Sequence, residues 1–566
     1  MRRTSAMARP AAKSDGGASA ATGAGGSAAC TPSTAAPNNV SSNTSHLPIV
    51  TLPRTRTAIA EPRLPLVPPV PPRRNRKARW RIRTGGCRSL PMRATDCDVP
   101  RRRQRHGFRR RRNRPLMPAM PNITIIGGGF AGATLARRLM GRLPPGWDIT
   151  LISEDSYTTF NPLLPEVVGA SIFPEHAVAP LREVIDVANG GRFVMGAVSA
   201  IDPDARTVSA STLVGESRFA YDHLVLAVGS RARIDLIPGM AEHALPLKSV
   251  GDALHIRNIV LRRLAAMELE PDPDRRALLG HFLVIGGGFS GVEVAGALID
   301  CIKGIGKYFP HAMSDCTRVT LVHAGDRLLP EMAPKLGMAA LRQLRARGVA
   351  VRLNTGASQI DAEGIDLADG GRIDAGTVVA TIGTRPNRLL ATLGVALERG
   401  RLGVGPDLAV PGLANVWALG DCAHALNSAD GTVCPPTAQF AVAEAGHLAE
   451  TLLAVAAGRA TRPFMYRPRG AMAATGHLNG VAEVFGWRFA GLPAWLAWRG
   501  YYLALLPTLG RKLRVWIEWT WGMFFAPDIT HIHFVRSGGG SGAPMVAQRR
   551  GLMVVPEMPV MEQPRQ

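Results

Sequence analysis

The sequence predicts an α/β fold with two doubly wound modules, each built on a parallel sheet. The main observation is a repeat: an apolar run, a glycine-rich loop and a helical stretch follow one another from residue 122 and again from residue 283. The chain also has 566 residues, which is enough for several hydrophobic cores. Its 46% of hydrophobic residues and 19% of charged residues are typical of a globular protein.

The positive charge of the chain is concentrated before the first repeat. The formal net charge is +24, and residues 1–119 carry 25 Lys and Arg against 4 Asp and Glu, so they hold +21 of it. Their composition, rich in Ala, Ser, Thr, Pro and Arg, predicts a disordered basic extension. A targeting segment, a nucleic-acid arm and a translation start at Met117 or Met120 are open as explanations. For the folded part we expect no nucleic-acid partner.

The cysteines and the hydropathy pattern exclude several classes of protein. The 7 cysteines are widely spread without a CxxC pair, and no His cluster stands at metal-ligand spacing. We therefore expect a reducing compartment, no disulfide framework and no metal site. No run reaches the roughly 18 apolar residues that a transmembrane helix needs, and we find no secretory signal.

Each repeat contains the glycine spacing of a dinucleotide-binding turn. The first glycine permits a tight turn, the second lets the backbone approach a pyrophosphate, and the third allows close packing of helix on strand. The unpaired N–H groups of the following helix then bind the phosphates. Both copies stand between a strand and a helix, which favours binding over two structural turns. The predicted binding glycines are Gly127, Gly129 and Gly132 in the first loop and Gly286, Gly288 and Gly291 in the second.

An acidic residue at the end of the next strand is expected to hold ribose hydroxyls. After the first loop this residue is Glu154, with Asp155 as the neighbouring alternative. After the second loop the strand ends at His323 instead. An imidazole does not repel the 2′-phosphate of NADPH as a carboxylate does, so both NADH and NADPH stay open.

Three further strand ends carry candidate cofactor contacts. Apolar runs end at Gly229 and at Gly383, and a third ends at Gly420-Asp421. A carboxylate placed like Asp421 can accept hydrogen bonds from a polyol such as the ribityl chain of a flavin. An ordinary turn at the end of a strand is the alternative.

These residues resemble the pyridine nucleotide–disulfide reductase superfamily, and more closely the type II NADH:quinone oxidoreductases, which are single-subunit, non-pumping respiratory dehydrogenases. The likeness runs from about residue 122 to residue 532. Besides the glycine loops, the segments that carry it are Phe160-Asn161-Pro162-Leu163-Leu164-Pro165-Glu166, Tyr221–Gly229, Gly420-Asp421-Cys422-Ala423 and Pro435-Pro436-Thr437-Ala438-Gln439-Phe440-Ala441.

The resemblance implies two Rossmann-like dinucleotide-binding domains. The NAD(P)H domain is inserted into a discontinuous FAD domain, and an amphipathic helical region that associates with membranes follows at the C-terminus. The implied divisions are a basic extension at 1–119, the FAD domain at 120–250 and 389–465, the NAD(P)H domain at 251–388, a membrane-associating or dimerisation region at 466–536 and a flexible tail at 537–566.

The resemblance also implies a reaction in which hydride moves from NADH to FAD and two electrons then pass to a membrane quinone without proton pumping. It places Asp421 on the ribityl chain, and Ala438 and Gln439 where flavin meets quinone. It places Glu293 beside the nicotinamide, so that Glu293 and Gln439 are the expected catalytic residues. The local alternatives are a surface carboxylate in a first helical turn for Glu293 and a polar helix start for Gln439.

Two features of the sequence help to separate the type II dehydrogenases from other possible functions: a departure from the family pattern and a long segment without cysteine. Family members commonly carry a second Gln four positions after the first, where this chain has Ala443 followed by Glu444. Residues 127–300 contain no cysteine, which excludes disulfide-reductase chemistry and disfavours sulfide:quinone oxidoreduction. The alternatives are a soluble FAD-dependent reductase for a protein acceptor, a sulfide:quinone oxidoreductase-like enzyme and an apoptosis-factor-like flavoprotein.

The composition of the C-terminal region predicts attachment to a membrane surface. Trp favours the headgroup level of a bilayer, and cations favour anionic lipid. We expect peripheral binding to the cytoplasmic face of the cell membrane and a homodimer, with a buried hydrophobic cap as the alternative. Six of the 9 tryptophans fall in this region, interleaved with Arg and Lys, and they are Trp487, Trp495, Trp498, Trp516, Trp519 and Trp521.

Overall fold

The computed structural model describes residues 121–186, 190–313 and 317–532. The basic extension predicted at 1–119 and the tail predicted at 537–566 lie outside these residues. The first stretch of the chain forms, in order, β1 (Asn122–Ile126), α1 (Phe130–Leu139), β2 (Asp148–Ser153), β3 (Tyr157–Thr159), α2 (Leu164–Val168), β4 (Val178–Pro180), α3 (Leu181–Val184), β5 (Gly191–Asp202), β6 (Thr207–Thr212), β7 (Gly215–Ala220), β8 (His223–Leu226), β9 (Ser230–Ala232), α4 (Met240–His243) and β10 (Ala244–Pro246).

The rest of the described chain falls into two further stretches. The middle stretch forms α5 (Val250–Met267), α6 (Pro273–Leu279), β11 (His281–Ile285), α7 (Phe289–Ile305), β12 (Arg318–Val322), α8 (Pro334–Ala346), β13 (Val349–Arg352), β14 (Ala357–Asp361), β15 (Gly364–Leu367), β16 (Arg372–Asp374), β17 (Thr377–Ala380) and β18 (Thr384–Pro386). The last stretch forms β19 (Leu397–Glu398), β20 (Arg401–Gly403), β21 (Val416–Ala418), β22 (Ala423–His424), α9 (Ala438–Ala456), β23 (Gly470–Gly476), β24 (Asn479–Val484), β25 (Trp487–Ala490), α10 (Leu492–Leu505) and α11 (Leu509–Trp521).

The first sheet has the strand order β21-β8-β1-β2-β5-β6-β7. Its first five strands run parallel, and β5 to β7 form an antiparallel ribbon at one edge. Ile123, Ile125 and Ile126 of β1 are buried, as expected for a strand that is covered on both faces. Because β21 joins this sheet from far along the chain, the first module is discontinuous, as the family resemblance implied.

The second sheet has the strand order β10-β17-β11-β12-β13, and all its strands are parallel. All five residues of β11 are buried. The edge strand β10 lies before the domain boundary predicted at residue 251, so the second sheet starts earlier in the chain than that boundary. The short strands β9 and β18 pair antiparallel and connect the first module to the second.

The C-terminal stretch packs on the helix that follows the second glycine loop. Strands β23, β24 and β25 form an antiparallel sheet, and β23 lies against α7. A Cβ on Gly296 of α7 would stand 2.5 Å from the carbonyl oxygen of Thr475, so only glycine permits this approach. Val294, Ala473, Trp498 and Val515 share one buried cluster, which ties β23, α10 and α11 to the core around α7.

Candidate functional site

The first glycine loop, between β1 and α1, has the geometry of a phosphate cradle. Gly127 has φ +106°, and a Cβ there would lie 2.2 Å from the carbonyl oxygen of Ala227. A Cβ on Gly132 would lie 1.9 Å from the carbonyl oxygen of Gly127, so α1 starts tight against the loop. Around Gly129, the N-cap of α1, no described atom lies within 4 Å of the Cβ position. The turn is closed on its inner side and open at the helix N-terminus, which fits a pyrophosphate.

The second loop, between β11 and α7, repeats this geometry. Gly286 has φ +117°, and a Cβ on Gly291 would lie 1.8 Å from the Gly286 carbonyl oxygen. Gly288, the N-cap of α7, has open space at its Cβ position among the described atoms. His323, at the end of β12, accepts a hydrogen bond from the Gly287 N–H to its Nδ1 at 3.1 Å. The proton of the neutral imidazole is therefore assigned to Nε2.

The strand ends behind the two loops meet at the pair β9–β18. Gly229, with φ +61°, leads β8 into β9, and Gly383, with φ +75°, leads β17 into β18. On β9, Arg231 forms an ion pair with Glu154, which follows β2. Burial and the charge of Glu154 raise the pKa of the adjacent Asp155. The pair β9–β18 thus joins the carboxyl edges of both parallel sheets, where ligands bind in such folds.

Asp421 belongs to a cluster that the sequence did not reveal. Its Oδ2 accepts a hydrogen bond from Ser230 Oγ at 2.7 Å, and Lys248 Nζ donates to Ser230 Oγ at 3.1 Å. Lys248 Nζ also lies 3.8 Å from the same carboxylate oxygen. Lys248 directly precedes the capping box of Ser249 and Asp252 at the start of α5. That box is a sequence signal for the helix start, but it does not predict where the preceding Lys points.

The start of α9 is held beside the turn that carries Asp421. Ala438 and Gln439 are the first two residues of α9, and both are half-buried. Glu444, on the same helix, accepts a hydrogen bond from the Gly420 N–H at 2.6 Å. Burial raises the pKa of Glu444 to about 7. The contact between Glu444 and Gly420 therefore holds the start of α9, where the flavin–quinone contact is predicted, next to Asp421, the predicted contact of the ribityl chain.

Glu293 is buried in α7, with 9% of its surface exposed, so the alternative of a surface carboxylate is wrong. Its Oε1 accepts hydrogen bonds from the Ala474 N–H of β23 at 3.1 Å and from Trp498 Nε1 of α10 at 2.9 Å. Burial raises its pKa to about 8, although both donors act in the opposite direction. These partners lie 181 and 205 positions away along the chain, so no local sequence signal indicates them.

The C-terminal tryptophans divide between the interior and the surface. Arg499 lies over the rings of Trp495 and Trp519, 3.7 Å and 4.8 Å from their centroids, rather than on the outer face. The buried members of the set are Trp495, Trp498 and Trp519, and the exposed ones are Trp487, Trp516 and Trp521. The inner faces of α10 and α11 thus form a hydrophobic cap, and large apolar side chains are also exposed on the outer faces. Within the described residues, no helix combines the length and hydropathy needed to cross a bilayer.

Comparison with known proteins identifies the family. The family model for pyridine nucleotide-disulphide oxidoreductases matches residues 121–445. The type II NADH:quinone oxidoreductase Ndh of Mycobacterium tuberculosis is 33% identical over 419 residues, which cover 71% of this chain and 88% of that protein. The internal alternative NAD(P)H-ubiquinone oxidoreductase A1 of Solanum tuberosum mitochondria is 29% identical, covering 73% and 88% of the two chains.

A solved structure has the same fold. The structure of NDH2 from Plasmodium falciparum in complex with NADH has a TM-score of 0.67 at 18% identity, and the match covers 73% of this chain and 100% of that one. The fold and the relatives therefore agree with the resemblance seen in the motifs. The chain belongs to the type II NADH:quinone oxidoreductases, within the pyridine nucleotide-disulphide oxidoreductase family.

Proposed function

We propose that this protein carries reducing equivalents from NADH to a membrane quinone and that its flavin is FAD. Its relatives are named as NADH:quinone oxidoreductases. The observation that carries the proposal is the pair of open glycine cradles joined by β9–β18. The bound flavin supplies two-electron chemistry, whereas the chain supplies binding, orientation and protons.

FAD is assigned to the first module. The open N-terminus of α1 at Gly129 accommodates the pyrophosphate of a dinucleotide, which FMN lacks. Glu154 is assigned to the ribose hydroxyls and Asp421 to the ribityl hydroxyls. Ser230 donates a hydrogen bond to the Asp421 carboxylate and Lys248 Nζ lies 3.8 Å from the same oxygen, so these two residues hold the side chain of Asp421 in one orientation.

The nicotinamide nucleotide is assigned to the second module. The cradle at Gly288 receives its pyrophosphate, and His323 stands where a carboxylate would select against the 2′-phosphate of NADPH. Glu293 follows in α7, on the side proposed for the nicotinamide. Because burial raises its pKa to about 8, the Glu293 carboxyl is protonated at neutral pH and can donate a hydrogen bond or a proton.

An apolar groove beside the start of α9 is the proposed quinone site. Val442 lies on this groove and follows Gln439 by three positions, so the two side chains share a helix face. Leu505 and Pro507 bring the end of α10 to the same groove, immediately before α11 in the chain. The groove residues that support this assignment are Phe130, Phe160, Val442, Leu505 and Pro507.

Reduction of a quinone to a quinol consumes two protons. The buried carboxyls of Glu293 and Glu444 have pKa values raised by burial to about 8 and about 7. Both therefore hold protons near neutral pH, one on the nicotinamide side and one behind the Gly420-Asp421 turn. We assign them as the groups of this chain that hold protons for the quinone.

The outer face of α11 is proposed to bind the cytoplasmic face of the cell membrane. Its large apolar residues are more than half exposed and recur at helical spacing, and they are Leu509, Leu513, Trp516, Ile517 and Trp521. Lys512 and Arg514 stand between them and suit anionic headgroups. A homodimer through the same region is the second part of this proposal.

The test uses the full-length protein with lipid vesicles that contain a long-chain quinone and a trapped pH dye. NADH oxidation with formation of quinol and without acidification of the vesicles supports the proposal. Oxidation of NADH by ferricyanide alone, with no turnover of the quinone, would instead favour a reductase for a protein acceptor.

A further inference from the structure

Trp498 connects the C-terminal helices to the carboxyl of Glu293. It lies in α10 with 1% of its surface exposed, and its Nε1 donates to Glu293 Oε1 at 2.9 Å. The N–H of Ala474 reaches the same oxygen at 3.1 Å. Because two N–H donors converge on Oε1, this atom acts as the acceptor, and the proton of the neutral carboxyl belongs on Oε2.

The indole ring of Trp498 is held in turn by aromatic contacts. Its centroid lies 4.9 Å from that of Tyr502 on the same helix and 5.9 Å from that of Trp519 on α11. Leu513 and Ile517 of α11 are more than half exposed on the outer face of that helix. Trp519 of α11 therefore packs against the indole ring of Trp498, whose N–H donates to Glu293.

We propose that Trp498 is a positioning residue for the reaction of this protein. Its N–H keeps Oε1 of Glu293 as the acceptor and leaves Oε2 to donate a proton. The inference rests on the proposed function, which puts Glu293 beside the nicotinamide. It requires no contact between Trp498 and either substrate.

The charged and ionisable groups around Glu293 come from the helices packed near α7. Glu166 on α2 raises the pKa of Glu293 through its charge, and Tyr502 on α10 is an ionisable neighbour. Arg499 on α10 interacts with Glu166. The strand Gly470–Gly476, which packs on α7, contains no ionisable side chain. The titration of Glu293 thus depends on few groups besides its two donors.

Loss of the indole N–H is expected to raise the pKa of Glu293. A donor to a carboxylate stabilises the ionised form, so Trp498 lowers the pKa of Glu293. Removing that donor must therefore move the titration of Glu293 to higher pH. It also leaves the Ala474 N–H as the remaining donor to Oε1, so the carboxyl loses one of two restraints on its orientation.

Two variants remove the donor in different ways. Trp498→Phe deletes the N–H together with part of the ring, and site-specific replacement of Trp498 by benzothienylalanine substitutes sulfur for the N–H at nearly constant shape. Trp519→Phe is the matched control, because Trp519 is also buried but its Nε1 has no hydrogen-bond partner in the described part of the chain. If the smaller ring of Trp498→Phe impairs folding, the benzothienylalanine variant still tests the role of the N–H, because it keeps the size and shape of the indole.

The first readout is the infrared C=O band of the protonated carboxyl in the purified flavin-containing protein, assigned by its loss in Glu293→Gln. Its titration midpoint is expected to rise by about one pH unit in both Trp498 variants and to stay in place in Trp519→Phe. The alkaline limb of kcat/KM for NADH is expected to move with it. In a Glu293→Gln background, the Trp498 substitutions should leave the pH profile unchanged.

An unchanged midpoint in both Trp498 variants, or an equal shift in Trp519→Phe, would overturn the inference. A shifted midpoint with an unmoved kcat/KM profile would also overturn it, since Trp498 would then affect the carboxyl without affecting the reaction. Failure of the proposed function looks different, because the wild-type protein would then lack flavin or resist reduction by NADH.

Discussion

The buried carboxyl of Glu293 is expected to make the stability of this protein depend on pH. Burial raises its pKa from 4.5 to about 8, so the folded state keeps a proton that the unfolded chain releases. The free energy of unfolding therefore falls as the pH rises across that interval and levels off above it. Within this interval, each pH unit lowers the free energy of unfolding by about 1.36 kcal/mol, which amounts to roughly 5 kcal/mol in total.

Glu293→Gln removes this dependence, because an amide of the same shape still offers an oxygen to Ala474 and Trp498 but does not titrate. Relative to the wild type, the variant is expected to gain roughly 4 kcal/mol between about pH 5 and about pH 9, because the wild type loses stability only up to about pH 8. Glu444 also titrates in this range, but it is present in both proteins. The difference in free energy of unfolding between wild type and Glu293→Gln therefore reports on Glu293 alone. Glu216→Gln, at an exposed position on β7, is the control for loss of a carboxyl.

Urea unfolding followed by tryptophan fluorescence, repeated at a series of pH values, measures this difference. The Glu216→Gln curve is expected to follow the wild type throughout. Curves for wild type and Glu293→Gln that stay parallel from about pH 5 to about pH 9 would refute the reasoning. They would mean that Glu293 ionises as readily in the folded protein as in the unfolded chain.

Three other perturbations test the cofactor cradles and the outer surface. Gly132→Ala is expected to disrupt the first module. Gly129→Ala should keep the fold but lower the flavin content of the purified protein, measured by absorbance, roughly tenfold. A Gly129→Ala protein with the same flavin content as the wild type would count against the cradle. His323→Glu is expected to lower kcat/KM for NADPH more than for NADH by repelling the 2′-phosphate, and an equal loss with both would contradict that role. Trp516→Ser combined with Ile517→Ser should weaken co-sedimentation with anionic vesicles while ferricyanide reduction continues; undiminished sedimentation would refute the surface.

The glycine loops were predictable from sequence because their geometry is local. The tight turn at Gly127 and the close approach of Gly132 involve a backbone segment of six residues and the strand beside it. The same holds for His323, since the end of β12 lies next to the loop in any parallel sheet of this order. The roles of these residues in binding remain predictions, but their positions follow from the pattern of strand, loop and helix.

The supporting residues were not predictable, because they arrive from distant parts of the chain. Lys248 and Ser230 meet Asp421 only after the third stretch of the chain has returned to the first sheet. Trp498 meets Glu293 across 205 positions. Composition identifies such residues as polar or aromatic, but their partners are set by tertiary packing alone.

The two-sided character of α11 was partly accessible to sequence reasoning. Val515 and Trp519 are buried four positions apart, whereas Leu513 and Ile517 are exposed. This is the 3.6-residue period of an amphipathic helix. Counting tryptophans without their helical phase left a membrane-binding surface and a buried cap as alternatives, whereas the structure divides the six tryptophans between the interior and the surface.

The central claim is that one chain holds a flavin and a nicotinamide nucleotide in two cradles whose rings meet. Anaerobic titration of the purified protein with NADH, followed in the visible flavin spectrum, tests it most directly. We expect one equivalent of NADH to bleach the flavin fully and a soluble quinone analogue to restore the spectrum. A colourless protein, or a flavin that NADH does not bleach, would contradict the account.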